Sequence, residues 1–516
     1  MKLYFIVFLI FSISAFSQNN ATFSVLNNNS FYNSEKWIYE NSDKARTSVK
    51  PVLYREFADS SKSDSIENKF FQKNLIEFRK NNTKIILNPV IGSIYYKGLN
   101  NNDINLNQAG LALNVNLFKN LSFFYSLVFN YTKFPFYSSN KIDSLNVIEG
   151  ETTNFTKIGN YYSYFKQNAY ISYSASEYIN FQAGIDKNFW GDGYRSLFLS
   201  DNSSAFPFIK TTVTAWKVKY LIMYTFLKDI DSNKPTMGWN EKYASIHYLT
   251  WNVFKNMDIN LFETVIWRGR DSLGYRGYDV NYLNPVVFYR PVDFSLASPD
   301  NVIMGAGGRL RILKHNHFYG QLVLDEFKLA EIKAKNGWWA NKFGIQAGFK
   351  SYKFLWINNL FFLAEYNYVK PFTYSHGNSL ENYGSSYQPL AHPLGANFKE
   401  LIGILKYNFK KLSVEFKGIY AQKGFDTDSL NNGGNIYRSY DDNRHEYGNF
   451  ILQGMKGSSK YAELKFSYLI NPKWNSSFEA GVAYKSQKTP LYTYRNIYIF
   501  AGIRANLYND YILQNL

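Results

Sequence analysis

The stretch LNQAGLALNVNLFKNLSFFYSLVFNYTK, residues 106–133, decides the fold. In its second half an apolar side chain occupies every odd position from Leu121 to Tyr131, and the polar residues Ser122, Ser126 and Asn130 fall at even positions between them. A period of two places these two sets on opposite faces of a β-strand. Only Lys119 and Asn120 separate this strand from the one before it, which predicts a tight antiparallel hairpin.

The same alternation recurs along the chain, and the links between the stretches are short and long in turn. Short turns at one end and long loops at the other are typical of a closed antiparallel barrel in an outer membrane. We therefore predict an all-β fold, a transmembrane antiparallel outer-membrane β-barrel of about 18 strands, with apolar side chains facing lipid and polar side chains facing the lumen. The predicted strands are 82–97, 106–118, 120–133, 161–174, 178–187, 206–215, 218–228, 241–253, 257–269, 302–313, 317–328, 339–350, 354–369, 399–409, 412–422, 460–470, 474–486 and 495–507.

The composition agrees with a membrane barrel. The chain contains 44 Phe, 44 Tyr and 10 Trp, and such barrels carry aromatic girdles at both membrane interfaces. Mean hydropathy is nevertheless −0.33, as expected when half of each strand faces water. A soluble β-sandwich with a half-buried sheet is the alternative, but it does not usually need so many long strands.

The amino terminus predicts export. A basic residue, an apolar core and the small residues Ala15 and Ser17 predict a signal peptide over residues 1–17, cleaved before Gln18. We therefore expect a multi-pass protein in the outer membrane of a Gram-negative bacterium. There is no cysteine, which excludes a lipoprotein anchor, disulfide bonds and thiolate chemistry.

Residues 18–81 lack the barrel alternation. The stretches Ser34 to Tyr39 and Ser65 to Lys80 have helical character. We predict a small, partly helical periplasmic segment over 18–81, lying below a barrel that spans 82–516. An unstructured tether is the alternative.

The formal net charge of +17 bears on partners. An exported chain is not expected to meet nucleic acid. Basic residues in the short periplasmic turns would attract outer-membrane lipid headgroups, and basic loops or lumen residues would attract an acidic surface polysaccharide. Excess lysine that serves only solubility is the alternative.

Searches for catalytic motifs largely fail. The chain carries no Walker loop, nucleophile elbow or zinc-binding His-Glu helix motif, and its six histidines are scattered. We predict a protein that is not an enzyme, with no catalytic residues, no metal site and no cofactor. A Ser-His pair assembled in space stays open.

Three loop stretches have an unusual mixture of aromatic, guanidinium, amide and carboxylate groups. Sugars stack on aromatic rings and accept or donate hydrogen bonds to such groups, and Arg pairs with acidic sugars. The alternative is that the loops fold inward and plug the barrel, with Arg195 paired to Asp192 or Arg290 paired to Asp300. The glycan-binding or plug candidates are Trp190, Asp192, Tyr194, Arg195, Asp201 and Asn202 in the first stretch, Asn284, Tyr289, Arg290, Asp300 and Asn301 in the second, and His392 and Asn397 in the third.

These three stretches resemble the Wzi-type capsule-assembly outer-membrane proteins. The residues that carry the resemblance are GDGYRS at 191–196 with LSDN at 199–202 and PF at 207–208, NP at 284–285 with YRP at 289–291 and SPDN at 298–301, and HPLGAN at 392–397. The resemblance covers about residues 80–507 and is nearest to the branch of the family found in gliding bacteria. It implies an 18-stranded barrel with a small periplasmic helical part and a lumen closed by loops.

The resemblance also implies a role, which is to bind exported polysaccharide and organise it at the cell surface without exporting it. Two other functions stay open. One is a structural component of the surface adhesion or gliding motility machinery, with other surface or motility proteins as partners. The other is a diffusion porin, although the long loops argue against an open pore.

Overall fold

The computed structural model describes residues 21–24, 26–28, 31–32, 35–36, 38, 46–56, 73–100, 102–230, 238–271, 274–285, 300–505 and 508–515. Within these residues, eighteen long antiparallel strands form the wall of one closed barrel. They are β1 Thr83–Gly98, β2 Ile104–Leu117, β3 Leu121–Lys133, β4 Tyr161–Ser174, β5 Ile179–Asp186, β6 Phe206–Ala215, β7 Val218–Ile230, β8 Trp239–Phe254, β9 Met257–Arg268, β10 Asn301–Ile312, β11 Asn316–Glu326, β12 Lys342–Ser351, β13 Leu360–Val369, β14 Phe398–Phe409, β15 Leu412–Phe425, β16 Met455–Asn471, β17 Ser476–Lys488 and β18 Thr493–Ala505.

Each strand pairs with its neighbours in sequence, and the last strand closes the barrel on the first. The closing ladder runs from Tyr498 opposite Gly98 to Ile503 opposite Ser93. The predicted 18-stranded antiparallel barrel is therefore confirmed. Two short helices, α1 Phe136–Leu145 and α2 Leu329–Ala334, lie in the long loops. No helix in the described ranges is long and apolar enough to cross a membrane.

The two faces of the wall follow the alternation of the sequence. In β3, Ser122, Ser126 and Val128 are buried in the interior, whereas Phe123 and Leu127 are exposed on the outside. An apolar outer face is what a barrel in lipid requires. The inner face carries the polar side chains that receive the loops described below.

Two predictions of secondary structure are wrong. Residues 354–359 do not belong to β13, because Phe354–Trp356 form a 3-10 turn with Leu355 at a φ of 51°. Residues 76–80 are not helical but form a short strand that pairs with the start of β1. The turn between them places Asn81 at a φ of 50°, a conformation that asparagine tolerates better than most residues.

The described residues of the N-terminal segment up to Glu56 contact the barrel at the end with the short turns, as Arg46 does at the carbonyl of Trp216 and Glu56 does at Lys219. In the predicted helical stretch 34–39, the described residues Glu35, Lys36 and Ile38 are helical. Glu35 forms a buried ion pair of 2.6 Å with Lys350 of β12, close to the end of that strand. The predicted signal peptide, residues 1–17, and residues 57–72 lie outside the described residues.

Candidate functional site

The first and third motif stretches fold into the barrel and meet there. We call these two segments, 187–205 and 388–397, the plug. The backbone N–H of Ser200 donates to the carbonyl of Leu390 at 2.8 Å, and the Ser200 hydroxyl donates to the carbonyl of Ala391. The plug is therefore one body built from two loops that are far apart in sequence.

A turn at 191–196 sits directly on a lumen-facing carboxylate. The backbone N–H groups of Tyr194 and Arg195 donate to Glu365 at 2.7 and 3.0 Å. A Cβ on Gly193 would lie 2.3 Å from a Glu365 oxygen. Glycine is thus needed here because the backbone approaches the carboxylate so closely.

A second lumen-facing carboxylate, Glu400 of β14, joins the two halves of the plug. Arg195 lies 3.5 Å from one of its oxygens, and His392 Nε2 lies 2.6 Å from the other. The Nδ1 atom of His392 accepts from the backbone N–H of Leu394, so Nε2 carries the proton that is donated to Glu400. Burial lowers the pKa of His392, against the opposing attraction of the Glu400 carboxylate.

The predicted pairing of Arg195 with Asp192 is wrong. Asp192 lies 3.8 Å from Arg309, which also forms an ion pair with Asp258. Arg195 and Asp192 are close in sequence but contact different strands, because the turn between them directs their side chains apart. Arg195 contacts Glu400 of β14, and Asp192 contacts Arg309 of β10.

The C-terminal tail, residues 508–515, completes the interior. Asp201 accepts hydrogen bonds from the Tyr511 hydroxyl at 3.0 Å and from Asn509 Nδ2 at 2.8 Å. Arg195 donates to Asn515 at 3.2 Å, and its guanidinium lies 5.2 Å from the ring of Tyr511. The tail therefore ties the plug to β18.

The remaining candidates of the first and third stretches are buried in the same interior. Asn202 accepts from Arg195 at 3.1 Å, and Trp190 packs against Tyr248 with a ring distance of 5.4 Å. Asn397 donates to the carbonyl of Gln453 at 3.0 Å. None of the eight candidates in these two stretches is exposed in the structure.

The second motif stretch behaves differently, because most of its described part lies on the outside of the barrel. We call residues 274–285 the strap. Tyr278 and Tyr282 pack against Trp267 of β9, each with ring centroids 4.9 Å apart. Trp267 stands opposite Tyr243 of β8, and both belong to the outward-facing set of their strands, yet both are buried.

The strap runs along the wall toward the periplasmic end. The hydroxyl of Tyr224 on β7 donates to the carbonyl of Leu283 at 2.9 Å. The hydroxyl of Tyr220, four residues closer to the short turn, donates to the carbonyl of Pro285 at 2.8 Å. The prediction that the second stretch folds inward with the others is therefore wrong for these described residues.

Asp300 and Asn301 divide between the two faces because they are adjacent on a strand end. Asp300 lies on the outer side, where Arg276 donates to it at 2.7 and 2.8 Å and Tyr282 at 2.7 Å. Asn301 points inward and donates to the carbonyl of Glu381 at 2.8 Å. Asn284 is exposed. Tyr289 and Arg290 lie outside the described residues, so the pairing of Arg290 with Asp300 stays a prediction. Among the described residues, the arginine that contacts Asp300 is Arg276.

Among the described residues, the cavities next to the plug and the tail are small. Three cavities lined by plug, tail and lumen-facing residues have volumes of about 80, 50 and 70 Å³. A fourth cavity, of about 730 Å³, lies at the extracellular end beside β4. Among the described residues, no three histidine or carboxylate side chains are arranged to hold a metal ion.

The sequence reasoning missed the lumen-facing partners of the plug. Glu365, Glu400 and Gln321 hold the motif stretches, and Gln321 accepts from the backbone N–H of Leu197 at 2.7 Å. The signal that was available is the alternation itself, because a carboxylate or amide flanked by apolar residues on a barrel strand faces the lumen. The level of each side chain in the lumen depends on the register between strands, which the alternation does not give.

The fold and this interior define an outer-membrane β-barrel whose lumen is filled by its own loops. No protein-family model matches the chain, and no curated protein matches it in sequence. Among solved structures, it is similar to Wzi of Escherichia coli, an outer-membrane protein involved in group 1 capsule assembly and a carbohydrate-binding β-barrel. The TM-score is 0.56 and the identity 13%, over 93% of this chain and 98% of that one.

Two barrels of Pseudomonas aeruginosa are also similar in outline. OprD matches with a TM-score of 0.44 and 9% identity over 85% of this chain and 97% of that chain. OccK5 matches with a TM-score of 0.42 and 8% identity over 82% and 98%. At these identities the likeness to Wzi concerns the fold alone, and the two lower scores support no statement about this chain.

Proposed function

We propose that the protein binds exported polysaccharide and organises it at the cell surface, without catalysing a reaction and without acting as the export channel. The observation that carries the proposal is the plug, which fills the lumen with buried, hydrogen-bonded loop and tail. A barrel that is closed in this way acts through its surface. The likeness of its fold to a carbohydrate-binding barrel supports the same reading.

The finer features of the proposal come from the sequence. We infer that the chain belongs to the Wzi-type family, in the branch of gliding bacteria that includes the gliding-motility protein RemB. Residues 1–17 are removed as a signal peptide, residues 18–81 face the periplasm, and the polysaccharide is acidic, as the net charge of +17 suggests.

The motif candidates have an indirect part in this proposal. Because Arg195, Asp192 and His392 are buried, they hold the plug inside the lumen and do not present their own side chains to glycan. Asn284 lies on the outer wall toward the periplasmic end, between the contacts of Leu283 and Pro285 with β7, so the candidates left for direct contact with surface glycan are Tyr289 and Arg290.

The experiment is the partition of surface polysaccharide between cells and medium in a deletion strain. The proposal expects that polysaccharide is still made but is shed into the medium, and that the wild-type gene restores the cell-bound fraction. An unchanged cell-bound fraction contradicts the proposal.

A second function is a structural component of the adhesion or gliding machinery. The strap favours it, because Tyr275, Val280 and Leu283 are exposed on the outer side of the wall. Such a surface suits a protein partner. Co-purification of a membrane protein that is lost in a Val280→Asp variant supports this function, and a solitary barrel contradicts it.

A further inference from the structure

The wall of the barrel has a notch at its extracellular end. The strands β5 and β6 have only 8 and 10 residues, whereas β4 and β7 on either side have 14 and 13. The ladder between β4 and β5 ends where Ala169 stands opposite Ile185. Above that level, residues 164–168 of β4 have no strand partner on this side within the described chain.

The backbone groups on the two edges of the notch differ in their hydrogen bonding. On the β7 side, the backbone N–H of Ser386 donates to the carbonyl of Lys228 at 2.6 Å. On the β4 side, alternate residues of 164–168 direct their N–H and C=O groups into the gap. Unpaired backbone groups at membrane depth are tolerated only where they line a cavity. We therefore expect the notch to contain water or polar ligand groups that hydrogen-bond to them.

The notch opens sideways toward lipid as well as toward the extracellular side. Phe165 of β4 is 60% exposed on the outer face and stands opposite Phe129 of β3, which is 38% exposed. Tyr161 and Tyr131 stack with ring centroids 4.5 Å apart, and Tyr161 lies four residues nearer the extracellular rim than Phe165. Stacked tyrosines above outward phenylalanines are typical of an interfacial girdle, which puts the notch at the level of the outer leaflet.

The cavity of about 730 Å³ occupies this notch. Its lining combines two aromatic side chains of β4, hydroxyl groups of the α1 loop and three lysines. These lining residues include Tyr164, Phe165, Thr153, Lys166, Lys187 and Lys228. A volume of several hundred Å³ is what a small-molecule or sugar site has.

The charge inside the notch is positive. Lys166 is neutralised by Glu151 at 2.8 Å. Lys187 donates to the carbonyls of Gly150 and Asp201 at 2.6 and 3.0 Å, and Lys228 donates to the Thr153 hydroxyl at 3.1 Å. Within the described residues, neither of these two ammonium groups has a carboxylate partner within 4.0 Å.

Free donors remain on both lysines, because an ammonium group has three N–H bonds. Lys187 uses two of its donors and Lys228 uses one in the contacts above. Both ammonium groups line the same cavity, so phosphate or carboxylate groups of one ligand would complete their hydrogen bonding, and charge-assisted bonds of this kind are the strong ones. The hydroxyl groups and aromatic rings around them suit a sugar ring.

We propose that the notch binds the anionic sugar headgroup of an outer-leaflet glycolipid, with its phosphate or carboxylate groups held by the ammonium groups of Lys187 and Lys228 that line the cavity and its acyl chains lying outside against Phe165. The ligand enters from the side of the barrel. This site goes beyond the polysaccharide role, because it links the barrel to the lipid of its own membrane.

The test measures binding to the purified full-length barrel in detergent. The probes are a deep-rough lipopolysaccharide, the same lipid with its phosphates removed, and a water-soluble oligogalacturonate. The variant is K187Q/K228Q. The matched control is K217Q/K473Q, which removes the same charge from exposed lysines in the short turns at the other end. Heat-modifiable gel mobility verifies that each variant is folded.

We expect the wild-type protein and the control to bind the phosphorylated lipid. Affinity should fall about tenfold or more in K187Q/K228Q or when the phosphates are removed, since each change deletes charge-assisted hydrogen bonds. K228E repeats the test at a lysine that does not touch the plug backbone. Equal affinity in a folded K187Q/K228Q or K228E variant overturns the proposal.

Binding of oligogalacturonate without binding of the glycolipid overturns the lipid source and assigns the notch to a free acidic polysaccharide. The polysaccharide role is scored separately, by shedding from the deletion strain. A notch variant that loses lipid binding but restores cell-bound polysaccharide separates the two proposals.

Discussion

The plug and the strap are both long, aromatic and charged loops, yet one fills the lumen and the other lies on the outer wall. The plug finds polar partners on lumen-facing positions, such as Glu365 and Glu400. The strap finds aromatic partners on outward positions, such as Trp267 and Tyr243. Loop composition is similar in the two cases, so the destination of a loop depends on which face of the wall offers complementary side chains.

The largest expected effect comes from breaking the ion pair beneath the plug. Arg195→Ala leaves Glu400 in the interior without its guanidinium, and removal of one partner of a buried pair typically costs about 3–5 kcal/mol. We expect residues 190–202 to lose protection from hydrogen exchange while the strap keeps its protection. Arg270→Ala, at an exposed arginine, is the control.

A double variant sharpens this prediction. Arg195→Met with Glu400→Leu removes both charges and should restore much of the protection, because no charge is left unpaired. If the double variant is as exchange-labile as Arg195→Ala, the ion pair is not what holds the plug.

The next effect breaks the strap and leaves the plug intact. Trp267→Ala removes the ring on which Tyr278 and Tyr282 pack, and truncation of a buried tryptophan costs about 3 kcal/mol or more. We expect faster proteolysis within 274–300, with unchanged hydrogen exchange in the plug. Simultaneous loss of protection in both regions would show that the two are coupled through the wall.

A smaller effect concerns the close approach of the plug backbone to Glu365. Gly193→Ala inserts a Cβ 2.3 Å from a Glu365 oxygen, and such overpacking costs about 1–3 kcal/mol. The control is Gly403→Ala, where the new Cβ meets no atom within 4 Å. A lower unfolding temperature is expected for the first variant only, and equal temperatures contradict the assigned contact.

The smallest effect is a dependence on pH that the plug has and the strap lacks. Burial lowers the pKa of Lys187 to about 8, below its value in an unfolded chain. As pH rises, Lys187 therefore loses its proton in the folded state at a lower pH than in the unfolded state. Stability of the plug should therefore increase as pH rises above about 8. Heat-modifiable gel mobility at pH 7 and pH 9 measures this, and Lys187→Met should flatten the difference.

Much of the fold was predictable because each strand of a membrane barrel alternates apolar residues that face lipid with polar residues that face the lumen. Strands β4 and β6 begin and end at the predicted residues. The error at 354–359 arose because Phe354 and Trp356 continue the alternation although the backbone has left the strand. The error at 76–80 arose because its apolar residues also fit helical spacing, whereas pairing with β1 decides the structure.

The candidate site was predictable in composition but not in arrangement. The motif stretches were identified, but Arg195 pairs with Glu400, which lies on a distant strand, and not with Asp192 nearby. That contact depends on the shear of the barrel and on the path of the loop, and neither is visible in a period of two. The C-terminal tail carries no motif, so its position in the lumen could not be foreseen.

The measurement that tests the account most directly is the conductance of the purified wild-type protein in planar lipid bilayers. A barrel closed by the plug and tail should insert without stable channels, and Arg195→Ala should introduce steps of conductance. Large, stable conductance in the wild-type protein would contradict the account, because the lumen would then be a pathway and the barrel a porin.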